Sequence, residues 1–169
     1  MESSQEDRIL NFVQGTRTHG IFYKEKYDLE LVVFTDSDWV GDNTARKSTL
    51  GYVFILVDGP ISWSSKKQSA IAPSSIEAEY RGVVNAAIQC LWLQGILGEC
   101  GIESETSTVI YCDNKSTIQI STDPFQRQQT KHIEIHMHYI RELVHNGNIA
   151  LFYCTSSEQV AEIFTKVFC

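Results

Sequence analysis

The chain has 169 residues and 19.2 kDa, one ordinary domain by length and enough to bury a core. Hydrophobic residues make up 43% and charged residues 21%, which excludes a disordered or fibrous chain, and neither a membrane-length apolar run nor a secretory signal is present. A net charge of −7, from 14 basic and 21 acidic residues, excludes bulk electrostatic capture of nucleic acid; any such role needs a local basic strip or metal ions that neutralise carboxylates.

DRILNFVQ, residues 7–14, reads as a short helix with a glycine stop at Gly15. LELVVF, Leu29 to Phe34, reads as a buried strand that runs straight into TDSDW. GYVFILV, Gly51 to Val57, is a second strand. Asp58-Gly59-Pro60 is its turn, and Ile61 to Ser64 returns as a third, making a hairpin over residues 51–65. Ser74-Ser75 then opens a long helix. Ser74 can cap it with Glu77 as capping-box partner, Ile76, Tyr80, Val83, Ala87 and Leu91 share one face, and Gly95 and Gly98 predict a break into two helices near Cys90. TVIYC, Thr108 to Cys112, is a strand ending at Asp113. Ser116 to Ser121 forms a short helix stopped by Asp123-Pro124, and Lys131 to Asn146 forms another stopped by Gly147. Ile149 to Cys154 is a strand, and Glu158 to Val167 a last helix capped by Ser156 or Ser157. Strands alternating with helices after an early hairpin predict a mixed α/β sheet with helices on both faces.

The acids fall at informative places. Asp36 ends the first apolar strand and Asp113 ends the strand after the long helix. If those strands are parallel neighbours, both carboxylates leave the same edge of the sheet, where open α/β sheets place ligands. Paired carboxylates repel unless protonated, hydrogen-bonded or bridged by a cation, and hard oxygen donors favour Mg²⁺ or Mn²⁺. Each Asp serves equally well as a turn or helix cap. On the long helix Glu77 and Glu79 lie about 200° apart, so only one can look toward the sheet edge, and the pattern does not choose. Asp38, Asp42, Glu158 and Glu162 are further acids. The five cysteines, Cys90, Cys100, Cys112, Cys154 and Cys169, are odd in number and lack C-x-x-C spacing, so they read as reduced thiols of an intracellular protein, in cytoplasm or nucleus.

The strings FTDSDWVGD, RKSTLGYVF, ISWSSKKQ, SSIEAEYRG, WLQGIL, IYCDNKS, TKHIEI, HYIRE and EQVAEIFTK, in this order from about Asp7 to Lys166, resemble the ribonuclease H domain of copia-type LTR retrotransposon polyproteins. The resemblance implies a ribonuclease H-like α/β fold, with a mixed five-stranded sheet of three antiparallel and two parallel strands. Residues 1–20 would be an N-terminal tail and short helix, and 21–169 the domain. It also implies cleavage of the RNA strand of RNA–DNA hybrids by two Mg²⁺ ions, with Mn²⁺ as a substitute. The family's acids fall on Asp36, Glu79, Asp113 and, where the family has Asp, on Glu162. Asp36 would bridge both ions, Glu79 and Asp113 favour one, and Glu162 the other. The longer Glu162 predicts reduced or metal-altered activity, because Mg²⁺ demands near-ideal octahedral geometry. Pro73, Ile76 and His136 depart from the family pattern, and the short loop between Cys154 and Gln159 lacks the mobile histidine of cellular ribonucleases H.

Ser64-Ser65-Lys66-Lys67-Gln68 is the densest basic and polar strip, Arg46-Lys47 is another, and Asn114 follows an acid directly. Ser65, Lys66, Lys67, Gln68 and Asn114 are therefore the candidate contacts to the hybrid, with Asn114 equally placed to cap the next helix. His132 and His136 have i, i+4 spacing but no third zinc ligand, Trp39, Trp63 and Trp92 read as core or rim packing, and no G-x-S-x-G elbow occurs. The leading reading is a metal-dependent ribonuclease H, partnered by a reverse transcriptase domain or a host protein and by no membrane. The alternative, favoured by the start at Met1 without a reverse transcriptase and by Glu162, is a captured, catalytically weakened module that binds nucleic acid or protein. A third is an unrelated Mg²⁺ phosphotransfer domain.

Overall fold

The computed structural model describes residues 5–25, 29–38, 47–69, 71–102, 106–122 and 131–166. Trp39, Asp42, Arg46, Asp123-Pro124 and Cys169 lie outside them, as does the side chain of His132. In chain order the elements are α1 (Gln5–Gly15), β1 (Leu31–Asp38), β2 (Thr49–Leu56), β3 (Gly59–Lys67), α2 (Ser75–Glu99), β4 (Thr108–Cys112), α3 (Lys115–Thr122), α4 (Lys131–His145) and β5 (Ile149–Tyr153). Two 3₁₀ turns follow, Ser156–Glu158 and Val160–Phe164.

The sheet order is β3-β2-β1-β4-β5. β1, β2 and β3 pair antiparallel, while β4 and β5 join parallel to β1. This is the mixed five-stranded sheet expected from the sequence. Alternation along the strands sends Leu31, Val33, Phe54, Ile110, Cys112 and Ile149 to one face. There they meet Val83, Ala87 and Cys90 of α2, Ile120 of α3 and Ile140 of α4, all buried. The opposite face carries Phe34, stacked on Tyr111 with ring centroids 5.0 Å apart, and Phe152 beyond it. Over β1 and β2 that face is crossed by the second 3₁₀ turn.

Four expectations are corrected. β1 does not stop near Phe34 but runs to Asp38, because Thr35 and Ser37 face the core side and are buried; Asp36 is thus inside the strand, paired with Gly51. The hairpin turn is Val57-Asp58, both at positive φ (55° and 63°), with Gly59 already in β3; a two-residue turn of this hand matches strand twist. α2 is one unbroken helix of 25 residues, since Cys90 and Leu93 are buried against the core and the glycines face open space. It closes at Gly101, whose φ of +79° suits a C-terminal glycine, with Ile102 N–H donating to the Leu97 carbonyl. The last helix, expected over 158–167, is instead the pair of 3₁₀ turns. Gln159 between them donates its side-chain amide to the Thr35 carbonyl at 2.9 Å and accepts from Ala161 N–H, which interrupts helical winding.

The turn sits hard on β2. A Cβ added at Gly51 would meet Thr165 Cγ2 at 2.8 Å, Phe164 Cβ at 2.9 Å and the Ala161 carbonyl at 3.1 Å. Gly51→Ala is therefore expected to destabilise the chain by about 1–3 kcal/mol, through overpacking. Thermal unfolding checks it; an unchanged midpoint would mean that the turn is not seated on the strand.

Candidate active site

Three elements bring the acids together. β1 holds Asp36, 5% exposed, beside the N-terminal end of α2, which carries Glu79, 8% exposed; β4 runs parallel to β1 and delivers Asp113 just past its last residue. The backbone N–H of Ser37 donates to Glu79 Oε1 at 3.2 Å, which ties the α2 carboxylate to β1. Glu79 Oε2 is buried and has no hydrogen-bond partner. Carboxylate oxygens of Glu79 and Asp113 and the Cys112 sulfur all lie within 4.8 Å of one another. Glu162 comes from the second 3₁₀ turn, near enough to Asp36 to act on its charge. All four expected acids thus converge, although the first and last lie 126 positions apart in the chain, at 36 and 162.

The choice between Glu77 and Glu79, open in the sequence, is settled by partners. Ser74 Oγ caps α2 by accepting from Glu77 N–H, but the return half of the capping box is absent: the Glu77 carboxylate pairs with Arg81 at 2.6 Å, one turn along. Glu79 faces the sheet edge.

Burial, then the charges of Asp36 and Asp113, pushes the Glu79 carboxyl up to about 9. Burial also raises Asp36, opposed by a hydroxyl hydrogen bond from Thr165 and reinforced by Asp113 and Glu162. These shifts have a sign for stability. Between its ordinary 4.5 and about 9, Glu79 keeps a proton in the folded chain that the unfolded chain has released. The contribution is complete below 4.5 and is lost as pH rises through 9. The midpoint of thermal unfolding in chelator is expected to fall from about pH 5 to about pH 9, and Glu79→Gln to remove most of the slope. A profile that is level in the native chain, or equally steep in the variant, would contradict this origin.

Around the acids, Ser156 Oγ lies 3.4 Å from Asp113 Oδ2 as a donor, and Lys166 Nζ pairs with Glu162 Oε1 at 2.6 Å. The expected substrate contacts divide. Lys66 and Lys67 stand exposed at the end of β3, and Lys66 borders a cleft of about 330 Å³ shared with Arg81, Asn85, Tyr80 and His136. Ser65 is also exposed but is engaged by the second 3₁₀ turn, and Gln68 turns inward. Ser65 Oγ donates to the Phe164 carbonyl at 2.6 Å, and Gln68, 8% exposed, donates to Ser37 Oγ at 3.2 Å and the Ala78 carbonyl at 3.1 Å. Gln68 thereby fastens α2 to the residue that holds Glu79. Asn114 is an N-cap: its Oδ1 accepts from Thr117 N–H at 3.1 Å. Trp63 and Trp92 are more than half exposed, at the rim, and Cys90, Cys100, Cys112 and Cys154 are free thiols. Two residues beside the acids were not placed there by the sequence: Cys112, read only as a reduced thiol because it ends an apolar strand, and Thr165, four residues before the last residue of the chain. No helix among the described residues is long and apolar enough to cross a membrane.

No family model matches the chain. It is 41% identical over 159 residues to the retrovirus-related Pol polyprotein from transposon RE1 of Arabidopsis thaliana, which takes in 94% of this chain and 11% of that protein. It is 35% identical, again over 94% of its length, to the Pol polyprotein from transposon TNT 1-94 of Nicotiana tabacum, of which it covers 12%. The chain thus spans about a tenth of the polyproteins it matches. Among solved structures, LC11-RNase H1, isolated from compost by a metagenomic approach, superposes with a TM-score of 0.62 at 12% identity, over 82% of this chain and 94% of that one. The crystal structure of LC11-RNase H1 in complex with an RNA/DNA hybrid gives 0.60 at 11% identity, over 80% and 94%. By sequence the chain is similar to one stretch of retrovirus-related Pol polyproteins of plant transposons, and by architecture it is a ribonuclease H fold.

Proposed function

We propose that the chain is a metal-dependent ribonuclease H that cleaves the RNA strand of RNA–DNA hybrids. The observation that carries this reading is the convergence of Asp36, Glu79 and Asp113 at one sheet edge, with Glu79 Oε2 buried and unpartnered. A divalent cation fits such a set: it neutralises carboxylates that otherwise repel, and it meets an oxygen left without a donor. Asp36, Glu79, Asp113 and Glu162 would hold two Mg²⁺ ions, with Mn²⁺ as substitute. When bound, ions of this kind activate a water and stabilise the leaving oxygen. The chain's own part is positional. The Ser37 N–H orients Glu79, the Thr165 hydroxyl orients Asp36, and Gln68 keeps α2 against β1. Lys66 and Lys67 supply exposed positive charge for phosphates of the hybrid beside the exposed Ser65, with Gln68 and Asn114 acting behind the contact surface. The relatives are polyproteins, and α1 exposes Ile9, Leu10, Phe12 and Val13, an apolar surface that a neighbouring domain such as a reverse transcriptase would cover.

One observation favours the second reading, a catalytically weakened module: the Glu162 carboxylate is already paired with Lys166. Cleavage of a labelled RNA–DNA hybrid in Mg²⁺ and in Mn²⁺, with Asp113→Asn as control, separates the two. RNA-strand cuts that vanish in the control support the enzyme; hybrid binding without cuts in either metal supports the module.

A further inference from the structure

We propose that Glu79, Cys112 and Asp113 form a site for a thiophilic divalent cation, zinc or cadmium, with Cys112 as the ligand that makes it selective. The three donor atoms lie within 4.8 Å of one another. The Cys112 side chain is fully buried and Glu79 is 8% exposed, so the sulfur and one carboxylate face each other away from bulk water. Glu79 Oε2 has no hydrogen-bond partner, an open lone pair on the wall of the site. Local geometry explains how neighbours in sequence share it. Cys112 is the last residue of β4 and Asp113 lies in the bend that follows, so strict strand alternation has ended and both side chains reach toward α2.

Donor chemistry separates this site from one built for Mg²⁺. Mg²⁺ takes oxygen ligands in an octahedron and leaves sulfur alone, whereas zinc and cadmium favour thiolate in a four-coordinate shell. Zinc–sulfur bonds of about 2.3 Å and zinc–oxygen bonds of about 2.0–2.2 Å put tetrahedral ligands about 3.4–3.6 Å apart, so a contraction of at most about 1.4 Å closes the shell. The fourth position is left to water. On binding, one sulfur–metal and two oxygen–metal bonds form, and the thiol proton, with any proton on Glu79, leaves to solvent. A cation held there occupies Glu79 and Asp113, two of the carboxylates proposed for Mg²⁺, and blocks their use.

The test is direct binding and does not depend on nuclease activity. Cadmium is titrated into the full chain, stripped with chelator and carrying Cys100→Ser and Cys169→Ser. The readout is the ultraviolet absorption of the cadmium–thiolate bond. One equivalent is expected to bind, with the band lost in Cys112→Ser and the affinity about tenfold or more weaker in Glu79→Gln. Absence of the band from the folded parent chain overturns the proposal, as does its persistence in Cys112→Ser. If circular dichroism shows that Cys112→Ser does not fold, Glu79→Gln decides, and unchanged affinity there overturns it. Inactivity on hybrids, which would defeat the nuclease reading, leaves the band in place.

Discussion

Replacing Glu79 by Gln is expected to abolish hybrid cleavage and, in the same molecule, to stabilise the metal-free fold. The two effects share one cause. Glu79 is buried beside Asp36 and Asp113, with one oxygen on the Ser37 N–H and the other unpartnered. Without a cation the folded chain must keep this carboxyl protonated at pH 8, far above its ordinary 4.5, which destabilises it, so an uncharged Gln is expected to add about 1–3 kcal/mol at pH 8 in chelator. For a chain of this size that is a rise in melting temperature of roughly 2–10 °C. Loss of a metal ligand should lower the cleavage rate by about a thousandfold or more. Asp113→Asn should lose cleavage to a similar extent but gain less stability, because Asp113 is only half-buried. Calorimetry in chelator beside the hybrid assay reads both. Loss of stability together with activity in Glu79→Gln would show that this carboxylate supports the fold and that no cation is needed to explain it.

Lys166→Met is expected to raise cleavage, in contrast to most substitutions near an active site. Lys166 Nζ holds Glu162 Oε1 at 2.6 Å, so on the proposed reading an ammonium competes with the metal ion for the fourth acid. The pair is solvent-exposed on the lysine side, so the fold should change little when it is broken. Freeing Glu162 should increase the rate at limiting Mg²⁺ by about tenfold, and Glu162→Asp should act in the same direction because the shorter side chain reaches away from Lys166. Since both changes remove one restraint, their combination should give less than the product of the single effects. Rate measurements across a Mg²⁺ series check this. A fall in rate with Lys166→Met would place Lys166 on the substrate instead.

The strands and helices that build the sheet edge were legible because their signals are local. β-branched runs mark β1, β2 and β4, Gly147 stops α4, and the acids at 36 and 113 stand where parallel strands deliver them. The final helix was not legible. Its pattern of Val160, Ala161, Ile163 and Phe164 suits a helix, but Gln159 is drawn to the Thr35 carbonyl, a partner 124 residues away that no window contains. The roles of Ser65 and Gln68 were hidden for the same reason, since both bond to segments distant in sequence. Two other features had readable signals that periodicity alone overlooks. Arg81 stands four residues after Glu77, the spacing of a helical ion pair, which leaves Glu79 as the unpaired acid. Asn114 precedes Thr117 by three residues, the spacing of an N-cap.

The segment after β5 is fastened by side chains. Beyond the backbone bond from Cys154 N–H to the Cys112 carbonyl, Gln159 to Thr35, Ser65 to the Phe164 carbonyl and Thr165 to Asp36 tie it to the sheet, and its own backbone bonds are those of single turns. Segments held this way open more readily than a ladder of strands, so amide protons of residues 156–166 should exchange with deuterium well ahead of those in β1 and β4. Mild denaturant would then release Glu162 and Thr165 while the five strands stay paired, and the protein would shed its fourth acid long before it unfolds.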